Sequence, residues 1–160
     1  MEFGGNYRFA APRDAVWAAL NDTAVLKAAI PGCRRIDWTG EGTLECEIEV
    51  NFGLIKPVFM GDLELRDIDP ARRYTLAGRG RGGLLGKAEA AADISLSDLP
   101  EGGTGLLFVA NGGADGGIMK LGKALIGNSA QKIIDGFFER FAEAMGVTLE
   151  VLPTAKPASS

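Results

Sequence analysis

Residues 116–146 read GGIMKLGKALIGNSAQKIIDGFFERFAEAMG, and how this stretch folds decides the rest. Its apolar residues fall at Ile118, Leu121, Leu125, Ile133, Phe137 and Phe141, with Ile134, Phe138 and Met145 alongside. Steps of three, four and eight predict one long helix over Gly116–Gly146, with Lys132, Asp135, Glu139 and Glu143 on its other side. At 1.5 Å per residue that helix would be roughly 46 Å long, enough to cross a domain of this size. Between its two apolar halves lies Gly127-Asn128-Ser129-Ala130, where no large side chain projects. Such a run lets another backbone come close or leaves room for a ligand. The apolar face needs a partner, and the residues upstream supply one.

Most of them read as strands. Glu2–Phe9 carries Phe3, Tyr7 and Phe9 at period two. Pro12 then opens a helix with Val16, Trp17 and Leu20 on its apolar side, and Asp22 or Thr23 caps a second short helix holding Val25, Leu26 and Ala29. Ile30-Pro31-Gly32-Cys33 ends it, because a residue before proline avoids helical geometry. Ile36 and Trp38 lead to a turn at Gly40–Gly42. Next, Leu44, Cys46, Ile48, Val50, Phe52 and Leu54 alternate with Glu45, Glu47, Glu49, Asn51 and Gly53. That pattern predicts a half-buried antiparallel strand whose three carboxylates lie on a solvated face. Val58–Ile68, the stretch around Tyr74, Leu76 and Gly78, Leu84–Leu96, and Leu106–Ala110 predict further strands joined by short turns. The expected fold is α+β: about seven strands in a curved antiparallel sheet gripping a long C-terminal helix, with a helix pair after the first strand. Residues 1–146 form the domain, and 147–160 form a tail that begins with a strand or loop and ends disordered.

Composition narrows the function. The 160-residue chain carries a net charge of −4, which argues against a nucleic-acid partner. It contains no histidine, so Ser-His-Asp and Cys-His hydrolysis are excluded and the two cysteines, Cys33 and Cys46, leave no zinc site. No apolar run approaches the ~20 residues of a membrane span, and the N-terminus lacks a signal-peptide pattern. The expected location is the cytoplasm, where both thiols stay reduced. The segment Gly78-Arg79-Gly80-Arg81-Gly82-Gly83 contains a formal G-x-G-x-x-G, but a strand follows it where a phosphate site needs a helix N-terminus. Its glycines instead suit a bulge or close approach of the sheet to the helix, and its arginines suit a partner's carboxylates.

Several motifs together point to a family. P-x-x-x-V-W-x-x-L-x-D (Pro12 to Asp22), I-P-G-C (Ile30 to Cys33), F-M-G-D-L-E-L (Phe59 to Leu65), D-P-x-x-x-Y-x-L-x-G-x-G (Asp69 to Gly80) and G-G-L-L-G-x-A (Gly82 to Ala88) resemble the CoxG family of carbon monoxide dehydrogenase subunits. The order of elements resembles the helix-grip fold of the START-like, or Bet v 1-like, superfamily to which that family belongs. The resemblance implies a non-catalytic accessory protein of a molybdenum hydroxylase complex. It also implies an apolar ligand such as a quinone (menaquinone or ubiquinone) under the long helix, and transient contact with the inner face of the cytoplasmic membrane. Longer members carry an apolar C-terminal anchor; Leu152–Ser160 has no such segment.

The ligand-lining candidates are Ile30, Cys46, Ile48, Val50, Phe52, Met60, Leu76, Phe108, Ile118, Met119, Leu121, Leu125, Ile133, Phe137 and Phe141. Small residues interleave with them at Gly61, Ala88, Ala90, Ala92 and Ala110. Interiors normally fill to crystal-like density, so many small residues facing one helix mean either tight contact or a void. Tyr74 offers a hydrogen bond to a ligand carbonyl, and no catalytic residue or metal ligand stands out. Two alternatives remain open. One is a START-like enzyme (an aromatase/cyclase or hydratase) acting on an aromatic or polyketide-like substrate. The other is a ligand-free protein-interaction adaptor with a filled core.

Overall fold

The computed structural model describes residues 2–51, 53–83, 86–114 and 123–153. The first strand, β1 (Glu2–Phe9), leads to helices α1 (Arg13–Leu20) and α2 (Thr23–Ala29). Strands β2 (Cys33–Gly40), β3 (Thr43–Glu49), β4 (Val58–Asp69), β5 (Arg73–Arg81), β6 (Lys87–Asp98) and β7 (Thr104–Ala114) follow as a meander. Helix α3 (Lys123–Met145) and a short strand β8 (Leu149–Leu152) close the chain. All the strands form one antiparallel sheet in the order β2-β3-β4-β5-β6-β7-β1-β8. This is the expected helix-grip arrangement with one strand more. The eighth comes from the start of the tail, where Leu149 pairs with Phe9 and Ala10 donates to the Thr148 carbonyl at 3.1 Å.

Local chemistry sets the boundaries. Asp22 caps α2, its carboxylate accepting from the Ala24 N–H at 2.9 Å, while Pro12 stands as the extended residue just before α1. Strand β3 stops at Glu49, so the alternation through Leu54 does not continue as strand. The Asn51 side chain accepts from the Gly53 N–H at 2.8 Å, and the Val50 N–H reaches the Pro57 carbonyl at 2.9 Å. Those two bonds turn the chain out of the sheet, and in the loop over 53–56 Leu54 is fully exposed. The beginning of the long helix expected over 116–122 lies outside the described residues, as does residue 52 of the expected strand.

One turn is fixed by a single glycine. Gly32 has φ +75° and its carbonyl accepts from the Glu49 N–H at 2.9 Å, which ties the end of α2 to the end of β3. A Cβ at Gly32 would run into the Glu49 carbonyl oxygen. Gly32→Ala should therefore lower stability by about 1–3 kcal/mol from the left-handed conformation alone, with the clash adding to it. Denaturant titration of the variant measures the loss; an unchanged midpoint would overturn this account of the turn.

The core has two parts. Under the C-terminal half of α3, Phe138 stacks on Tyr7 with ring centroids 4.2 Å apart, and Phe141 meets Phe9 edge-on at 5.5 Å. Val16, Leu20, Leu96, Leu106 and Tyr74 complete that cluster. A smaller one joins Leu26 of α2 to Ile36, Leu44 and Cys46. Phe137 touches both. Thr104, the one fully buried polar residue among those described, donates its hydroxyl to the Ala11 carbonyl at 2.7 Å.

Candidate functional site

Pairing registers sort every strand residue onto one of the two sheet faces, since side chains alternate along a strand. On the face toward α3, successive cross-strand rows run from large to small. Tyr7, Leu106 and Leu96 form one row; Gly5, Phe108, Ile94 and Tyr74 the next; Phe3, Ala110, Ala92, Leu76 and Leu65 a third. Beyond these come Gly112, Ala90, Gly78 and Leu63, then Ala88, Gly80, Gly61 and Cys46. The first rows are packed by Phe138 and Phe141. The last rows on β5–β7 belong to neither core cluster: Gly78, Gly80, Ala88 and Gly112 are only half-buried, and Ala90 is exposed although it faces inward. On the helix side Gly127 and Ala130 are likewise half-buried.

The result is an apolar strip of small residues at one end of the inner sheet face. Among the described residues, the five rows hold no carboxylate, lysine or arginine; further along β6, Asp98 faces the same side as Leu96 and lies 3.6 Å from Arg13 of α1. The polar groups in those rows are the Tyr7 and Tyr74 hydroxyls and the Cys46 thiol; the buried Thr104 hydroxyl, beside Phe9, is spent on the Ala11 carbonyl. Tyr74 lies in the row next to Leu76, is 6% exposed, and packs edge-on against Trp17 at 5.4 Å. Its hydroxyl has no hydrogen-bond partner among the described residues, yet no fully occluded polar side-chain atom there lacks a partner. The hydroxyl therefore reaches space that a water-sized group can enter. Burial raises its pKa, so at neutral pH it is a hydrogen-bond donor.

The candidate lining residues divide into several groups. Leu76, Phe108 and Phe137 are partly buried against the larger cluster, and Ile133 is partly buried on α3. Ile30 and Ile48 pack on the smaller cluster, and Val50 lies just past the end of β3. Phe141 is 0% exposed and sealed in the core. Met60 is a correction: it pairs with Glu47 and Arg81 on the outer face, because the Cys46–Gly61 pairing turns Phe59, Gly61, Leu63 and Leu65 inward. That alternation is visible in the sequence, with Asp62 and Glu64 pointing out between the leucines. Phe52, Ile118, Met119 and Leu121 lie outside the described residues, as does the side chain of Leu125.

The glycines of the Gly78–Gly83 segment make room for side chains of β4: a Cβ at Gly82 would fall 2.5 Å from the Phe59 ring, and one at Gly78 3.0 Å from Leu63.

Cys46 is 2% exposed, with its sulfur 2.7 Å from the place a Cβ of Gly61 would take, while Cys33 is half-buried. Burial pushes the Cys46 thiol up from 9.0 to about 11, and burial likewise raises Tyr7 from 10.0 to about 12, helped by Asp135 and Glu139. In both groups the unfolded chain loses its proton first. Their contribution to stability is complete below about pH 9, falls as pH rises, and is gone above about 12. Iodoacetamide at pH 8 should label Cys33 and leave Cys46 until the chain unfolds. Equal labelling of both in the folded protein would contradict this packing.

The outer face is charged. Arg35 bridges Asp37 at 3.0 Å and Glu45 at 2.6 Å, Arg34 pairs with Glu49, and Arg81 lies 3.0 Å from Asp62. Such exposed pairs add little stability, and they bear out the reading of the β3 carboxylates as a solvated face. An open groove of about 990 Å³ runs over this side, floored by Ala77, Ala91 and Gly113 and walled by Asp62, Glu64, Arg66, Arg79, Arg81 and Glu89. Both signs of charge line it, and Gly78, Gly80, Ala88, Ala90 and Gly112 of the small-residue strip also contribute to its lining. Among the described residues no group of acidic or cysteine side chains is placed to hold a metal, and no helix is long and apolar enough to cross a membrane.

Known proteins share this architecture. The model of the CoxG family, a subunit of carbon monoxide dehydrogenase, matches residues 5–146. A conserved protein from Geobacillus kaustophilus has a similar structure at TM-score 0.81 and 23% identity, with 92% of this chain and 99% of that one covered. The Zhui aromatase/cyclase from Streptomyces sp. R1128 matches at TM-score 0.68 and 14% identity, over 91% and 94%. Ara h 8.0201 matches at TM-score 0.63 and 13% identity, over 91% and 97%. At these identities the likeness is one of fold. No curated protein sequence matches the chain.

Proposed function

Because the chain belongs to the CoxG family of carbon monoxide dehydrogenase subunits across residues 5–146, we propose that it is a non-catalytic accessory protein of a molybdenum hydroxylase of that type. In this role it carries an apolar molecule, a quinone or a lipid, between α3 and the small-residue end of the sheet. The observation that carries this reading is Ala90, an inward-facing residue that is exposed and belongs to neither core cluster among the described residues, within a strip of glycine and alanine. Close-packed interiors do not leave such a strip uncovered. A flat, ring-bearing ligand would lie against it and gain roughly 25 cal/mol for each Å² of apolar surface removed from water. Tyr74, at the inner edge of the strip, would donate to a carbonyl of that ligand.

The enzymatic alternative has less support. Acid–base work on a polyketide needs carboxylates, cations or several hydroxyls converging on the substrate, and the five inward rows that form the strip and its packed neighbours offer two tyrosines and a thiol among the described residues. The Zhui aromatase/cyclase shares the fold, and fold does not fix function. The adaptor alternative predicts a filled core. Native mass spectrometry of protein purified from its own host, followed by organic extraction, separates the readings. A near-stoichiometric quinone or lipid is expected; protein that is consistently empty would favour the adaptor.

A further inference from the structure

Tyr7 is not among the ligand-lining candidates that the sequence offers, yet its phenol is placed as a binding group would be. The residue is 4% exposed, and its ring lies on Phe138 with centroids 4.2 Å apart and planes at 28°. The tip of the ring is laid over Gly5: a Cβ there would run into the hydroxyl oxygen and the ring carbons beside it. Only glycine at position 5 leaves that place open, so the phenol leans along β1 toward its N-terminal end. The hydroxyl meets no hydrogen-bond partner among the described residues, and no fully occluded side-chain oxygen there lacks one. Like that of Tyr74, it therefore opens onto space that a water-sized group can enter. Phenylalanine would stack on Phe138 equally well, and a buried hydroxyl without a partner gives up solvation for no bond within the protein.

Strand register shows what that space adjoins. Gly5 shares its row with Phe108, Ile94 and Tyr74. On β6 and β7 the next row toward the strip holds Ala92 and Ala110, and the one after it Ala90 and Gly112. Side chains of one methyl or none thus lead from the Tyr7 hydroxyl to the uncovered end of the sheet. The helix side adds charge. Burial, then the carboxylates of Asp135 and Glu139 on α3, push the pKa of the phenol up to about 12, so it is protonated at neutral pH and can donate. The same two carboxylates repel an anion brought to that hydroxyl and leave a neutral acceptor unopposed.

We propose that Tyr7 is a ligand-binding residue whose hydroxyl donates to a carbonyl oxygen of an uncharged head group, while the apolar remainder of the ligand extends past Ala110 and Ala92 to the small-residue strip. The class of ligand is a neutral ketone, quinone or ester. A free fatty acid is disfavoured, because its carboxylate would face Asp135 and Glu139. Gly5 takes part by giving the phenol its place, and Tyr74, in the same row but three strands away, is left to a second acceptor. This inference deepens the ligand-carrying reading and rests on it: it names the residue that selects the head group.

The test measures binding of a short-chain ubiquinone, of 2-methylnaphthalene, which has no acceptor oxygen, and of decanoate to the full chain and to its Tyr7→Phe variant. The wild type should bind ubiquinone more tightly than decanoate. Tyr7→Phe should bind ubiquinone about fivefold more weakly, the usual worth of one neutral hydrogen bond, and 2-methylnaphthalene as well as before. Its melting temperature should equal or exceed that of the wild type, because the hydroxyl holds nothing within the protein. Equal affinity of the two proteins for ubiquinone overturns the role of Tyr7 and leaves the ligand reading standing. An equal fall for ubiquinone and 2-methylnaphthalene, with a lower melting temperature, makes the hydroxyl structural and likewise overturns it. Tighter binding of decanoate than of ubiquinone overturns the neutral head group. A wild type that binds no probe removes the ligand reading and this inference with it.

Discussion

Phe141→Ala should lower the free energy of unfolding by about 3–5 kcal/mol, the usual cost of emptying a large aromatic site in a core. Phe141 is 0% exposed, meets Phe9 edge-on at 5.5 Å, and stacks with Phe137 at 5.6 Å. Neighbouring rings cannot collapse into the hole without breaking the Tyr7–Phe138 stack at 4.2 Å, so relaxation recovers little. Ile133, two turns earlier on α3 and only partly buried, should cost far less when truncated to alanine. Both residues belong to the same apolar stripe in sequence, so the comparison separates the half of the helix that holds the fold from the half free to hold something else. Urea unfolding of the two variants gives the answer directly. Equal losses would mean that the strip near Ile133 is packed as tightly as the core.

That difference marks where the sequence stops being legible. The α+β class, the helix pair, the meander and the long helix follow from periods of two and 3.6 and from caps such as Asp22. Most strand faces follow as well, because charged residues alternate with apolar ones along β3 and the second half of β6. Met60 misleads because it is apolar beside Phe59, although the outward Asp62 and Glu64 two and four residues on already put it on their face; the Cys46–Gly61 pairing fixes that parity. Leu54 misleads in the opposite sense. The alternation continues through it, but an Asx bond from Asn51 to Gly53 turns the chain out of the sheet first. The strip is harder still. Gly78, Ala90 and Gly112 are far apart in the chain and become one wall only when three strands settle into register. Small residues are equally compatible with tight packing, and only the exposure of Ala90 tells the two apart.

Ala90→Trp should abolish binding of an apolar ligand while leaving the fold intact, and the same substitution one residue later should do neither form of damage. Ala90 faces α3, between Gly78 and Gly112, and is exposed, so an indole there meets free space in place of a packed wall. Tryptophan suits a strand, and at an exposed position it should change stability by no more than about 1 kcal/mol. The ring would occupy the volume in which a flat ligand lies, and affinity for a short-chain ubiquinone should fall at least tenfold. Ala91 pairs with Ala77 and Asn111 on the outer face, in the floor of the charged groove. Ala91→Trp adds the same bulk to the same strand on the opposite side, so it controls for any general effect on β6. Retained binding in the Ala90 variant with a normal melting temperature would place the ligand elsewhere. Loss in both variants would point to strand distortion, not to occupancy of the strip. Loss in the first alone would place the ligand between α3 and the wall that Gly78, Ala90 and Gly112 form.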